Sequence, residues 1–123
     1  MLRKFGLAGV LLAMPLAAQA MTVAEFLAKA DALKAKGMLA MVSPDISVLR
    51  SEMQAATTAY RTDVDAARAK GVTTLGCPPP KGKANITSDM VIADFTAMPK
   101  AAQPRTTVKA GLYAFMTKRF PCR

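Results

Sequence analysis

Two cysteines are the residues in this chain whose type and spacing commit to a covalent reaction. Cys77 and Cys122 form an even set, and in an oxidising compartment such a set is expected to pair as a disulfide. The competing reading, a reactive thiol, lacks its helpers: the chain has no histidine and no C-x-x-C spacing. A Cys77–Cys122 bridge would enclose the 44 residues 78–121. In the chain-entropy account, closing a loop of that length stabilises the fold by about 4 kcal/mol. Small domains have only about 5–15 kcal/mol of net stability, so the bridge would be a large part of the total.

Other chemistry is missing by composition. Without histidine the chain lacks the usual general base, the usual activator of a nucleophile and the commonest zinc ligand. Two cysteines are too few for a Cys-rich zinc site. Asp63 and Asp65 are close in sequence, but two apart on a helix they face different ways. They also lack the glycine and distal glutamate of a calcium loop, and no glycine loop is present to cradle phosphate. The triplet Asn85-Ile86-Thr87 fits a glycosylation acceptor, a pattern frequent by chance. No reaction class has its full set of residues. The expectation is therefore no enzyme, no cofactor and no metal site, and a protein that works by binding.

The elements that would position the cysteines read as helices. Thr22-Val23-Ala24-Glu25 is a capping box, and Phe26, Leu27, Ala30 and Leu33 follow at three- and four-residue steps up to Gly37. This predicts a first helix over Val23 to Lys36. Met38 to Val42 is then a short apolar connector. Ser43 and Pro44 restart the helix, and Ile46, Leu49, Met53, Ala56, Tyr60, Val64 and Ala67 make one apolar stripe up to Gly71. The second helix is expected over Pro44 to Lys70. Val72 to Asn85, with Pro78-Pro79-Pro80, is a stiff break. A third helix capped at Thr87 to Asp89 carries Met90, Val91, Phe95 and Met98 and stops at Pro99. A fourth opens across Pro104 to Thr107, carries Val108, Leu112, Phe115 and Met116, and ends at Pro121. The fold class is thus all-α, a small bundle of about four helices. The bridge would tie the end of the fourth helix to the linker before the third, locking those two helices together.

The first twenty residues have the layout of a secretory signal. Arg3 and Lys4 precede an apolar run from Phe5 to Ala18, and Ala18-Gln19-Ala20 supplies a small-x-small cleavage site. The run is 14 residues, short of the about 20 that a spanning helix needs. Cleavage after Ala20 would leave residues 21–123 as one helical domain in a bacterial-type periplasm, with no membrane span. Of the 9 methionines, Met1 and Met14 would leave with the signal; most of the rest lie on helical stripes as core, with Met38 and Met41 in the connector as exceptions.

Loss of Arg3 and Lys4 takes the basic count from 17 to 15 against 8 acids, a net charge of about +7. Beyond Asp94 there is no acid, while Lys100, Arg105, Lys109, Lys118, Arg119 and Arg123 are basic. Such a surface attracts anionic partners or simply keeps a small protein dissolved. Nucleic acid is disfavoured, because export separates the two and no aromatic residues interleave the basic ones for base stacking.

The second half carries an ordered pattern: Cys77-Pro78, Ile86-Thr87, Met90-Val91-Ile92 with Phe95, Met98-Pro99, Val108 to Leu112, and Phe120-Pro121-Cys122. It resembles the C-terminal signature of the Rap/Tai family of type VI secretion immunity proteins. The resemblance spans Cys77 to Cys122 and departs from the family in an insertion-like stretch, Pro79 to Asn85, and in the strong positive charge. It implies a small exported helical protein that binds a peptidoglycan amidase effector and blocks it, with a homodimer as one assembly known among members. The matched residues are structural, so the partner-binding surface stays unknown at this level. Two other functions fit a small, helical, single-disulfide periplasmic chain: a stress chaperone of the HdeA type, and an envelope protein whose basic half meets lipid phosphates.

Overall fold

The computed structural model describes residues 20–123; the expected signal, apart from Ala20, lies outside the described residues. Four α-helices follow in chain order: α1 Val23–Lys36, α2 Pro44–Ala69, α3 Ser88–Ala97 and α4 Val108–Arg119. Short 3-10 segments, Gly37–Val42 and Gln103–Arg105, precede α2 and α4. No strand occurs among the described residues. The all-α expectation therefore holds, with helix ends within a residue or two of those read from capping signals except at the start of α4.

Local chemistry sets those ends. Each α-helix begins at a hydroxyl side chain that accepts a hydrogen bond from a first-turn backbone N–H. Thr22 accepts from Glu25 at 3.1 Å, Ser43 from Asp45 at 3.3 Å, Thr87 from Met90 at 3.3 Å and Thr107 from Ala110 at 3.0 Å. The carbonyls at the end of α3 are met from outside: Gln103 donates to Met98 at 3.0 Å and to Phe95 at 3.4 Å. Two expectations change in detail. The short apolar connector after α1 is wound as a 3-10 helix. Pro104 lies in its own 3-10 turn, and α4 starts only after Thr107.

The starts of α1 and α4 lie side by side. Val23 donates to the Thr106 carbonyl at 2.8 Å and Val108 donates to the Met21 carbonyl at 2.9 Å, giving one antiparallel bridge between Thr22 and Thr107. This two-point stitch buries Val23 and Val108 completely. From there α1 touches the other three helices, while α2 lies along α4 in the most extensive helix pair. The core is formed by Phe26 of α1, Leu49, Ala56, Tyr60 and Val64 of α2, Val91 and Phe95 of α3, and Leu112, Phe115 and Met116 of α4. Phe26 and Phe95 meet edge to face at 5.7 Å between ring centres, the favoured aromatic geometry.

Gly111 lets three helices meet at one point. A Cβ at this position would sit 2.9 Å from Cε1 of the fully buried Phe95 and 3.1 Å from Cγ2 of Val23. Neither neighbour is free to move away. The helix-propensity gain from losing a glycine is about 1 kcal/mol, whereas overpacking a closed core costs about 1–3 kcal/mol. For Gly111→Val, whose branch adds further bulk, a net loss of about 2 kcal/mol is expected in a urea titration; a variant as stable as the parent would mean that this contact is loose.

Candidate functional site

Cys77 and Cys122 are joined, with their Cα atoms 4.9 Å apart. The bridge forms as expected, but it does not lock α3 to α4. The segment bearing Cys77 is pinned to α2. The Tyr60 hydroxyl donates to the Leu75 carbonyl at 2.8 Å, Arg68 to the Pro78 carbonyl at 3.0 Å and Arg61 to the Pro79 carbonyl at 3.1 Å. On its other side the Cys77 N–H donates to the Phe120 carbonyl at 2.7 Å, just past α4. The covalent link thus clamps α2 against α4. Prolines supply carbonyls without competing N–H groups, and that is why the run suits a strap read by arginines.

The strap passes so close to α4 that one position tolerates only glycine. Gly76 has φ +88, and a Cβ there would lie 2.8 Å from the Phe120 carbonyl oxygen and 3.2 Å from the Thr117 Cα, both backbone atoms. A second α2–α4 contact lies nearby. Tyr60 and Tyr113 stack edge to face at 5.3 Å, and the Tyr113 hydroxyl donates to Asp63 at 2.6 Å. Burial, and then the hydrogen bond and charge of Asp63, push the Tyr113 phenol up from its ordinary value. Burial likewise raises Tyr60, with the positive charges of Arg61 and Arg68 opposing. Both rings are neutral donors across the physiological range.

With α2 held to α4 on one side and α3 packed on α4 and α1 on the other, α2 and α3 make little direct contact. Between them lies a cleft of about 780 Å³. Leu112 and Met116 of α4 and Phe26 of α1 form its floor, with Leu49 and Met53 of α2 on one wall and Ile86, Val91 and Ile92 on the other. Lys81 to Ser88 make its lip, so most of the insertion-like stretch borders this opening. Arg50, Arg61 and Lys81 stand at the rim with Asp65 as the one acid. Asp63 and Asp65 do face apart: one holds Tyr113 and the other lines the cleft. Its size and apolar floor, within a polar border that also includes Gln54, Thr57, Thr58 and Thr62, suit a binding site for a side-chain cluster or small molecule.

The glycosylation-like triplet has structural work at each position. Asn85 takes φ 52, the left-handed turn that asparagine tolerates best after glycine. Ile86 packs on the core and Thr87 caps α3. The basic C-terminal surface is smaller than its charge count suggests. Lys118 pairs with Asp94 at 2.6 Å, while Lys109 and Arg119 lie over the rings of Tyr113 and Phe120. No group of three His, Cys, Asp or Glu side chains that could hold a metal ion occurs among the described residues, and no described helix is long and apolar enough to cross a membrane.

Replacing both Cys77 and Cys122 by serine should lower unfolding stability by about 3–4 kcal/mol in urea titrations. A loss under about 1 kcal/mol would mean that the hydrogen-bonded strap holds α2 to α4 without the sulfur link. Compared with family models, curated proteins and solved structures, the chain finds no match in any of the three.

Proposed function

We propose that this chain is an exported, non-catalytic binding protein that neutralises a partner protein by seating part of it in the α2–α3 cleft. The partner class is a peptidoglycan amidase effector, as for the type VI secretion immunity proteins that residues Cys77 to Cys122 resemble. The compartment is the periplasm, reached by the Met1–Ala20 signal. The single observation carrying the reading is the cleft itself: an opening of about 780 Å³ with an apolar floor, flanked by α2 and α3, which make little contact with each other. A stable apolar opening of this kind is kept where something binds.

The rim narrows the partner. Arg50, Arg61 and Lys81 face one acid, Asp65, so an acidic ridge with an apolar anchor is the complementary shape. Such charge matching mainly speeds association and selects the partner, while the buried anchor sets the lifetime of the complex.

The test is co-expression in the periplasm with a peptidoglycan amidase effector of type VI secretion. The expected result is survival of the cells and recovery of a complex. Ile86→Asp puts a charge into the cleft wall and should restore lysis, with a thermal unfolding scan checking that the variant remains folded. Unchanged lysis with the parent chain, or full protection by Ile86→Asp, would contradict the reading.

A further inference from the structure

A second surface is separate from the cleft. The 3-10 segment Gly37–Val42 caps the α1–α2 hairpin and buries none of its own side chains. Met38 is 93% exposed, Leu39 70%, Met41 75% and Val42 81%. These four make up most of the large, strongly exposed apolar side chains among the described residues. Isolated exposed apolar residues need no explanation, but a contiguous set of four at a tip does. The tip is also poor in core value, so its apolar character is not a by-product of folding.

Two lysines flank the tip on its α1 side. From Ala32 to Pro44 the sequence holds Lys34 and Lys36 and no acid. Both lysines are exposed, and Lys36 reaches to 3.2 Å from the Ser43 hydroxyl at the tip. The nearest acids are Asp31 on α1, one turn further from the tip, and Asp45, whose carboxylate pairs with Lys29 at 3.3 Å. The tip backbone is largely satisfied from within: its 3-10 turns, the Gly37 N–H on the Lys34 carbonyl and the Ser43 N–H on the Ala40 carbonyl at 3.1 Å. A segment entering a hydrocarbon boundary needs this, since lipid tails offer no hydrogen-bond partners.

We propose that Gly37–Val42 is a membrane-surface anchor that dips into an anionic phospholipid leaflet, with Lys34 and Lys36 on the headgroup phosphates. The shape favours lipid over a folded partner. The four side chains are strongly exposed, and they are aliphatics and thioethers with no aromatic or polar group to specify a protein pocket. Peripheral anchors combine these two parts, an apolar tip and a basic collar, because either alone binds weakly. The anchor is independent of the cleft, which lies along α2 and α3.

The chain has no tryptophan, so Leu39→Trp makes a single fluorescent reporter at the tip. Protein purified from the periplasmic fraction is mixed with vesicles of phosphatidylcholine, with or without phosphatidylglycerol. Binding is expected with phosphatidylglycerol, weaker at high salt, with the indole emission of this variant shifted to the blue and quenched by lipids brominated on their chains. Replacing Met38, Leu39, Met41 and Val42 together by serine should lower the partition coefficient at least about tenfold, while thermal unfolding and effector neutralisation stay as in the parent. The proposal is overturned by a parent chain that ignores anionic vesicles, by a serine variant that binds them equally, or by emission that lipid leaves unchanged. A parent chain that ignores vesicles, with effector protection lost in the serine variant, would make the tip a protein contact instead.

Discussion

The strap from Leu75 to Pro79 is the constraint on which the arrangement of this protein depends. It leaves α2, lies across the end of α4, and is fixed to both at once. Tyr60, Arg68 and Arg61 hold three of its carbonyls, and the Cys77–Cys122 bridge with the Cys77 N–H holds its other side. The buried core is small, with Phe26, Tyr60, Phe95 and Phe115 its only aromatic members among the described residues. A core of that size has little surplus over the entropy of ordering the chain. A link that removes loop entropy from the unfolded state therefore matters more here than it would in a larger domain.

The same constraint accounts for what the molecule leaves open. A small bundle normally collapses until its apolar surfaces are covered. Here α2 is committed to α4 by sulfur, hydrogen bonds and the Tyr60–Tyr113 contact, and α3 is committed to α4 and α1 through Phe95 against Phe26 and Gly111. The two commitments leave α2 and α3 flanking a gap that Leu112 and Met116 floor but do not fill. The lip formed by Lys81 to Ser88 hangs from the strap at one end and the α3 cap at the other. Cleft and clamp are therefore parts of one mechanical unit, while the exposed tip at Met38 to Val42 stands outside it.

Much of this was legible from residue types alone. Hydroxyl caps at Thr22, Ser43, Thr87 and Thr107, glycines and prolines at the far ends, and apolar spacing of three and four define the helices, because each of those signals acts within one turn. The cysteine pairing was legible because only two are present. What the bridge ties together was not. Sequence order places Cys77 in a linker before α3, but the strap belongs with α2 through side chains, Arg61 and Arg68, that read as ordinary solvent-facing charges. Tyr60 counted as a core residue on the stripe, and nothing local announced that its hydroxyl would hold a carbonyl fifteen residues on. The cleft was equally hidden, since an absence of contact between two helices follows from how others pack. Lys118 read as free charge until the fold brought Asp94 to it across the α3–α4 contact.

Amide hydrogen exchange on the oxidised and the reduced protein tests the clamp most directly, because it reports which helices lose protection when the sulfur link is cut. If the strap joins α2 to α4, reduction should raise exchange in the second half of α2, in residues 72–80 and at the end of α4. Protection in α1 and α3 should change least. Deprotection centred on α3, with the Tyr60 to Ala69 stretch of α2 unaffected, would contradict the account.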